Sequence, residues 1–365
     1  MTLSEKIARF VASPPPFTEK AVNLAVRSMI DTMGAMVIGS DTSAVKMAEK
    51  MAPLEGNCTV IGNGRKVPAR DAAFINGISG HELELDDTSS SNLGHPTAAV
   101  LPSLLAAGED RGCSGRKLIE AFLIATEAEC KIGRICARKL HEKGWHASSV
   151  TGVIGAAAGS AYILGLNEER TRNAIGIAAS MASGVRENFG TLTKSIHIGK
   201  TAEDGLRAAL LAEGGFTSSK AALEGKEGYI FEYAGIRDEE RKFDAIIDSM
   251  GHDWDICSPG FTLKRYPSCS STHRPVDALI DIINENDIKA DEVERIDIGL
   301  SEAALRELVA PYPKDGEEAK FSVGFQTALY LHGMENMPYN YTEEVIREDK
   351  ILNIIQRTFM HEETK

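Results

Sequence analysis

Residues 152–164 read GVIGAAAGSAYIL and carry almost no side-chain bulk at several successive positions. The distance between two packed helices depends on the side chains at their contact, and small side chains permit a close approach. Glycine, alanine and serine here would let a neighbouring helix come close. The stretch therefore predicts a central, buried helix, and the rest of the fold has to be built around it.

A helical pattern extends from this stretch over most of the chain. The segment after Thr18 has apolar residues at steps of three and four, namely Val22, Val26, Met29, Met33 and Val37. This spacing is typical of one apolar helix face. Residues 114–137, which open with Ser114, and residues 203–212 predict further helices. We expect helix to dominate residues 18–255.

Strand patterns are sparse and lie mostly late in the chain. Residues 58–61 form one short candidate before a glycine-rich turn. In residues 293–300 apolar and polar side chains alternate, which is typical of a half-buried strand. The composition therefore changes near residue 258, and we place a domain boundary there. The predicted fold is mainly α, with an all-helical domain over residues 1–258 and a smaller α+β domain over residues 259–365.

Composition limits the classes of partner. The 365 residues carry a formal net charge of −13, which argues against nucleic acid because phosphate binding needs concentrated basic surface. An anionic substrate remains compatible, since a pocket can be locally basic on an acidic protein. Apolar runs fall short of the roughly 20 residues of a membrane span, and residues 1–11 lack the apolar region of a signal peptide. We expect a cytoplasmic protein without a membrane partner.

The six cysteines indicate neither a metal site nor an iron–sulfur cluster. They are scattered, and no two stand in a C-x-x-C pair. Zinc and iron–sulfur sites usually show such local spacing. Buried, reduced thiols are the ordinary interpretation. We therefore expect an enzyme that uses no metal and no cofactor.

Four segments interrupt the core pattern with ionisable residues set among glycine, proline and small side chains. They cover residues 76–102, 144–146, 193–199 and 263–273. We interpret the last three as loops beside buried helices. The candidate site residues in these segments are Glu84, Asp87, Thr88, His95, His146, Lys194, Lys264, Arg265 and His273.

Each candidate also has an ordinary structural explanation. The stretch Asp86-Asp87-Thr88 could cap the following helix, and His81 with Asp86 or His95 could ligate a metal. His146 could be a core histidine whose hydrogen bonds are satisfied, and the lysines could be solvated surface charges. His197 and His273 stay open between packing and a pocket role.

The order of the segments is more specific than any one of them. It comprises AAFINGISGHELELDDT (72–88), HPTAAVLPSLLA (95–106), GWHASSVTGVIGAAAGSAYILGL (144–166), TKSIHIGKTAEDGLRAALLAEGGFTS (193–218), LKRYPSCSSTHRPVDAL (263–279) and AKFSVGFQTAL (319–329). The chain resembles the MmgE/PrpD family, which includes 2-methylcitrate dehydratase, cis-aconitate decarboxylase and iminodisuccinate epimerase. The resemblance implies a large helical domain with a smaller α+β lid, a homodimer, and a pocket at the positions Glu84, Thr88, His95, His146, Lys194 and Lys264.

The chain departs from the family pattern at three places. Glu84 stands where the first motif usually has Asp, and one added methylene moves a carboxylate by about 1 Å, which can cost about 100-fold in rate at a catalytic group. Phe325 stands where relatives often carry Tyr. Relatives also continue well past residues 319–329, so we expect the lid domain to be incomplete and shortened at its C-terminus, with one amphipathic helix over residues 342–359.

Reactions of this family move a proton on a carbon beside a carboxylate, which requires a base and fixed cations. We expect Lys194 and Lys264 to neutralise substrate carboxylates, with Arg265 as a further cation. His95 and His146 are the expected acid and base, and Asp87 could orient a histidine. Thr88 and His273 are expected to contact a small di- or tricarboxylate.

Three hypotheses follow for the reaction. The first is a lyase that removes water from a 2-methylcitrate-like acid without a cofactor. The second is decarboxylation or epimerisation of a related acid, such as cis-aconitate or iminodisuccinate. The third is an inactive, truncated homologue. The residues separate the enzyme hypotheses poorly, because substrate choice depends on a few pocket side chains.

Overall fold

The computed structural model describes residues 1–53, 55–237 and 242–363. The chain divides into two compact units. The first consists of Met1–Glu82, Asp86–Glu187 and Lys194–Leu263, and the second of Leu83–Leu85, Asn188–Thr193 and Lys264–Lys365. The expected fold, mainly α with a large helical domain and a smaller α+β domain, is confirmed. The boundary at residue 258 stays a prediction.

Helices account for most of the first unit. They are α1 (Leu3–Ala12), α2 (Glu19–Gly39), α3 (Ser43–Glu49), α4 (Ala69–Glu82), α5 (Pro96–Arg111), α6 (Gly115–Glu142), α7 (Ala147–Leu164), α8 (Glu168–Ala179), α9 (Thr193–Glu213) and α10 (Lys242–Asp248). Strands β1 (Cys58–Thr59) and β2 (Lys66–Val67) pair antiparallel in the same unit. The predicted strand at residues 58–61 is therefore present in shorter form.

Helix α7 is the central, buried helix that its small residues predict. It packs against α5, α6 and α8. A Cβ atom added to Gly155 would stand 2.6 Å from the carbonyl oxygen of Ala125, and one added to Gly205 on α9 would stand 2.3 Å from the Cβ of Ala156. Since real Cβ atoms are not found at such distances, glycine is required at both contacts.

Helix α2 is present as predicted, but its buried face differs from the expected one. Thr18 caps the helix by accepting a hydrogen bond from the backbone N–H of Ala21. Ala25, Met29 and Met36 are buried, whereas Met33 and Val37 are 38% and 55% exposed. The core contacts of α2 come from its other face, which carries small residues, and not from Met33 and Val37. The apolar face that the spacing predicts is therefore only partly buried.

The second unit has a small parallel sheet with helices. Its elements are α11 (Ser270–Asn286), β3 (Ile296–Leu300), α12 (Glu302–Glu307), α13 (Gly316–Ala319), α14 (Val323–Leu331), α15 (Glu343–Ile346), α16 (Asp349–Gln356) and β4 (Thr358–Glu362). Strand β3 pairs with β4 in a parallel register that joins Ile296 to Thr358 and Leu300 to Glu362. The core includes Val276, Phe325 and Ile351.

Three local expectations fail. The predicted loop at residues 193–199 is the first part of α9, and His273 lies on α11 instead of in a loop. In residues 342–359 two short helices and the start of β4 replace the single amphipathic helix. In each case contacts from distant parts of the chain decide between conformations that the local pattern left similar in energy.

Two helices of the described part are long and apolar enough, by length and composition, to cross a membrane. They are Glu19–Gly39 and Ala147–Leu164, so the expectation that no segment would reach this length was too strict. In Ala147–Leu164, 89% of the apolar window is buried inside the fold, as in the core helix of a soluble domain. The expected absence of a membrane partner stays a prediction.

Candidate active site

The carboxylate of Asp86 joins two histidines at the centre of the first unit. Helix α4 ends at Glu82, and His81 is the residue before this end. The chain that follows the helix brings Asp86 back beside His81. Oδ2 of Asp86 lies 2.8 Å from Nδ1 of His81 and 3.2 Å from Nδ1 of His95. Burial favours a raised pKa for Asp86, but His81 and His95 outweigh burial and hold this pKa below its usual range. Asp86 is therefore an ionised carboxylate between two rings.

Lys194 reaches the same cluster from the first turn of α9. Its Nζ lies 2.7 Å from Nε2 of His81. The Lys194 residue is only 7% exposed, which is rare for a lysine. The lysine predicted to neutralise a carboxylate is thus a buried cation within a histidine cluster, as a pocket role requires.

A second pair of histidines continues the cluster. His146 precedes α7, and its Nδ1 lies 3.2 Å from Nδ1 of His197 on α9. The ring centroids of His95 and His146 are 6.5 Å apart, so these two predicted site residues share one region. Burial, reinforced by Lys194, lowers the pKa of His146 well below its usual value and the pKa of His197 to about 4. Both rings are therefore neutral near pH 7 and can accept protons.

Asp87 differs from its predicted role. Its Oδ2 accepts a 2.6 Å hydrogen bond from the hydroxyl of Thr97, and its Oδ1 accepts one from the backbone N–H of Thr97. Asp87 thus caps the start of α5, and its neighbour Asp86 orients the histidines. Burial raises the pKa of Asp87 to about 7.

The loop before His95 is held on both sides. The backbone N–H groups of Thr88 and Thr262 each donate to the carbonyl of the other residue. The backbone N–H of His95 donates a 3.0 Å hydrogen bond to the hydroxyl of Ser148 on α7. These contacts fix the backbone around His95. Thr88 therefore has a structural function in the first unit, and its predicted substrate contact stays a prediction.

Glu84 and Lys264 form a buried ion pair within the second unit. Nζ of Lys264 lies 2.7 Å from Oε2 of Glu84, and the two side chains are 1% and 3% exposed. Glu84 has φ 52°, in the left-handed region that a residue with a side chain rarely adopts. Lys264 is therefore paired with a carboxylate of the chain itself, and its contact with a substrate carboxylate stays a prediction.

The two other predicted substrate contacts also lie in the second unit. Arg265 has an exposed side chain that stands 3.3 Å from Asp277. His273 has its ring 5.2 Å from the ring of Tyr266, and burial followed by Lys264 lowers its pKa to about 4. Nε2 of His273 has no hydrogen-bond partner among the described residues. Substrate binding by Arg265 and His273 stays a prediction.

His81, Asp86 and His95 are also the described residues with metal-like spacing. One ligand atom from each lies within 4.8 Å of the others. Nδ1 of His81 is hydrogen-bonded to Asp86 at 2.8 Å, and Nδ1 of His95 lies within ion-pair distance of the same oxygen at 3.2 Å. The neighbouring Lys194 would repel a cation bound to His81. The donor set therefore fits an acid–base cluster, and the expected absence of a metal stays a prediction.

The sequence suggested His81 only as a metal ligand with Asp86 or His95, and it left His197 open between packing and a pocket role. Only the fold shows that Lys194 and His197, three residues apart on α9, both face the histidines. A spacing of three places both side chains on one face of a helix, and this relation is hidden when residues 193–199 are predicted as a loop.

Comparison with known proteins places the chain in a family. Residues 5–241 match the MmgE/PrpD N-terminal domain, and residues 266–365 match the MmgE/PrpD C-terminal domain. The chain belongs to the MmgE/PrpD family. The earlier resemblance is thereby confirmed, and both domains of the family are represented.

Curated relatives within the MmgE/PrpD family are cis-aconitate decarboxylases. The human enzyme is 29% identical over 338 residues, which cover 88% of this chain and 68% of the human protein. The mouse enzyme is 29% identical over 90% of this chain and 69% of its own length. The Aspergillus terreus enzyme is 31% identical over 61% of this chain and 47% of its own length. The prediction of an enzyme of the lyase type is confirmed.

Proposed function

We propose that this MmgE/PrpD member is a lyase that transfers protons on a small di- or tricarboxylate without a cofactor. The observation that carries the proposal is the buried cluster in which Lys194 stands beside the histidines and Asp86 joins His81 to His95. A fixed cation stabilises the charge that develops on a substrate carboxylate, and a histidine moves the proton.

His95 is the proposed proton carrier. A carboxylate beside an imidazole stabilises the imidazolium and fixes the ring, as in hydrolase triads, and Asp86 has this relation to His95. His146 has a lowered pKa and stays neutral near pH 7, so it is less suited to donate a proton. His95 rather than His146 therefore exchanges the proton with the substrate carbon in this proposal.

Decarboxylation of a cis-aconitate-like acid is the first candidate reaction, and the named relatives support it. The allylic carboxylate leaves as carbon dioxide, and its bonding electrons form a new double bond. The electrons of the old double bond move to the far alkene carbon, which takes the proton from His95. Lys194 stabilises the negative charge that passes onto the remaining carboxylate.

Dehydration of a 2-methylcitrate-like acid is the second candidate, and the His146–His197 pair favours it. Removal of water needs a base for the C–H proton and an acid for the departing hydroxyl group. The cluster offers two separate pairs, His95 with Asp86 and His146 with His197. Decarboxylation uses one proton carrier, so the second pair would have no direct task in it.

The experiment is a substrate screen with purified protein. Citrate, 2-methylcitrate, cis-aconitate and iminodisuccinate are each incubated with enzyme, and carbon dioxide, alkene absorbance and optical rotation are recorded. We expect carbon dioxide release from cis-aconitate. Loss of water from 2-methylcitrate would select the second candidate. No turnover of any acid by folded protein would contradict the proposed function.

We also propose a homodimer and a cytoplasmic location, both as first expected. Helix α2 supports the dimer, because Ile30, Val37 and Ile38 are 65%, 55% and 53% exposed on one helix. Exposed apolar residues clustered in this way are typical of protein interfaces. Light scattering of purified protein measures the mass directly, and Val37→Asp should favour the monomer. A wild-type monomer at micromolar concentration would contradict the dimer.

A further inference from the structure

We infer that His81 is a positioning residue that couples the carboxylate-binding lysine, Lys194, to the Asp86–His95 pair. The inference rests on the proposed function, because it assigns a task to His81 within the same reaction. His81 was not among the residues expected to act, and neither candidate reaction uses it to move a proton to or from the substrate.

Three consecutive contacts carry the inference. Nζ of Lys194 lies 2.7 Å from Nε2 of His81, and Nδ1 of His81 lies 2.8 Å from Oδ2 of Asp86. The same oxygen lies 3.2 Å from Nδ1 of His95. His81 is 1% exposed, so solvent does not compete for either ring nitrogen. The cation and the proton carrier thus lie at the two ends of one chain of polar contacts.

The donor and acceptor roles along the chain follow from the chemistry of its groups. A lysine ammonium offers three donors and no acceptor. Nε2 of His81 therefore accepts from Lys194, and the proton of the neutral ring is assigned to Nδ1. Nδ1–H then donates to Asp86, whose carboxylate only accepts. No side chain other than histidine places a donor and an acceptor on opposite sides of one short, rigid ring.

This arrangement has two separate consequences. The bond to Lys194 holds the ammonium at one place, which matters for binding the substrate carboxylate. The bond to Asp86 consumes part of the carboxylate's hydrogen-bonding capacity, which sets how strongly Asp86 attracts the proton of His95. His81 therefore affects substrate binding through one nitrogen and proton transfer through the other.

Other titratable groups face the cluster and stay unchanged in the tests below. Lys194 and His197 face it from α9, and His146 from the residue before α7. Asp31 on α2 acts on Asp86 through its charge, and Asp87 acts likewise from the next position in the chain. A change in the pH profile can be attributed to His81 only in comparison with the wild-type enzyme, which has the same surroundings.

Two substitutions separate the two contacts of His81. An asparagine amide places its nitrogen close to the position of Nδ1, so His81→Asn keeps the donor to Asp86 and loses the contact with Lys194. A glutamine amide reaches the position of Nε2, so His81→Gln keeps an acceptor for Lys194 and loses the donor to Asp86. The exposed residue His252 provides a matched control, His252→Asn.

We expect different kinetic effects from the two variants, measured with whichever acid the wild-type enzyme converts. His81→Asn should raise KM about tenfold with kcat and the basic limb of the pH profile retained, since it removes binding common to ground and transition states. His81→Gln should lower kcat and move the basic limb up by about one pH unit, because Asp86 then holds the proton that His95 donates more strongly. His252→Asn should match the wild-type enzyme.

A purely structural role for His81 would give a different result. Both variants would then lose thermal stability, lower kcat and raise KM together, without a shift of the basic limb, and this outcome overturns the inference. If neither variant folds, nitrogen-15 NMR of the histidines in the wild-type protein tests the inference through their protonation states. We expect one neutral ring protonated on Nδ1 throughout pH 6–8, and the absence of such a ring overturns the inference. If the wild-type enzyme converts no acid, the proposed function fails, but the NMR result still tests the contacts of His81.

Discussion

Two lysines that look alike in the sequence differ in what compensates their charge. Lys194 donates to Nε2 of His81 and lies within the histidine cluster. Lys264 pairs directly with the carboxylate of Glu84 inside the second unit. Lys194 thus lies beside the histidines that are proposed to act on the substrate, whereas Lys264 lies in an ion pair of the second unit. The same substitution should therefore act differently at the two positions.

Lys194→Ala should lower kcat/KM by at least two orders of magnitude, because it removes charge stabilisation worth roughly 3 kcal/mol in the transition state. Steady-state kinetics with the acid found by the screen measures the effect. Lys200→Ala is the matched control, since Lys200 lies on the same helix and its side chain, which pairs with Asp204, is 43% exposed. Equal activity of both variants would return Lys194 to an ordinary structural role.

Lys264→Ala should destabilise the protein by about 3–5 kcal/mol, because it leaves the buried carboxylate of Glu84 without its partner. Urea denaturation measures the loss. Arg265→Ala removes a neighbouring charge whose exposed pairing with Asp277 contributes at most about 1 kcal/mol. The double change Lys264→Met with Glu84→Gln should recover part of the stability. If Lys264→Ala and Arg265→Ala were equally stable, the Lys264–Glu84 ion pair would contribute nothing to stability.

Among the elements, those with local determinants could be predicted from the sequence. Helix α7 is specified by its own small residues, and Ser114 caps α6 by accepting from the backbone N–H of Lys117. Strand β4 could not be predicted in this way, since its partner β3 lies about 60 residues earlier and the pairing is parallel. The prediction for the start of α9 failed for a related reason. Its polar residues are stabilised by the histidine cluster, which forms only in the folded chain.

Gly155→Ala tests whether the small-residue surface of α7 is needed for close packing. We expect a loss of about 1–3 kcal/mol, because overpacking forces neighbouring backbone apart, and the added Cβ would meet the carbonyl oxygen of Ala125 at 2.6 Å. Gly115→Ala is the control, because nothing lies within 4 Å of the added Cβ at the start of α6. The difference between their midpoints of thermal unfolding measures the packing cost, and equal midpoints would contradict it.

At the scale of the whole molecule, the site brings together residues that are far apart in sequence. His81, His146 and His197 come from three segments, and their rings lie within 6 Å of a neighbour in the cluster. Motif order could indicate that these segments matter, but it could not tell that Asp86 rather than Asp87 faces the rings. The gathered histidines are buried, so folding changes their proton affinity and links stability to pH.

The sign of this linkage follows from the direction of the pKa changes. The folded pKa of His197 is lowered to about 4, whereas that of an unfolded histidine is about 6.5. Between these values the unfolded chain binds more protons, so the free energy of unfolding falls as pH drops from about 6.5 to about 4. Glu127 acts in the opposite direction, because burial raises its pKa to about 7 and its contribution is lost as pH rises. The pH dependence of the free energy of unfolding is therefore a sum over several groups, and single variants are needed to separate their contributions.

His197→Gln should remove one part of the acid sensitivity. As pH falls from 6.5 to 4, the free energy of unfolding of the wild type should fall relative to that of the variant, by at most about 3 kcal/mol. Chemical denaturation at pH 4.5, 5.5, 6.5 and 7.5, roughly spanning the window between the two pKa values, measures it. The exposed residue His252 supplies the control, His252→Gln, which should follow the wild-type profile. Because the lowered pKa of His197 depends first on burial and then on Lys194, Lys194→Ala should reduce the same acid sensitivity without abolishing it. A pH-independent difference for His197→Gln would mean that this histidine is not held neutral by the fold, and the acid–base interpretation of the His146–His197 pair would lose its support.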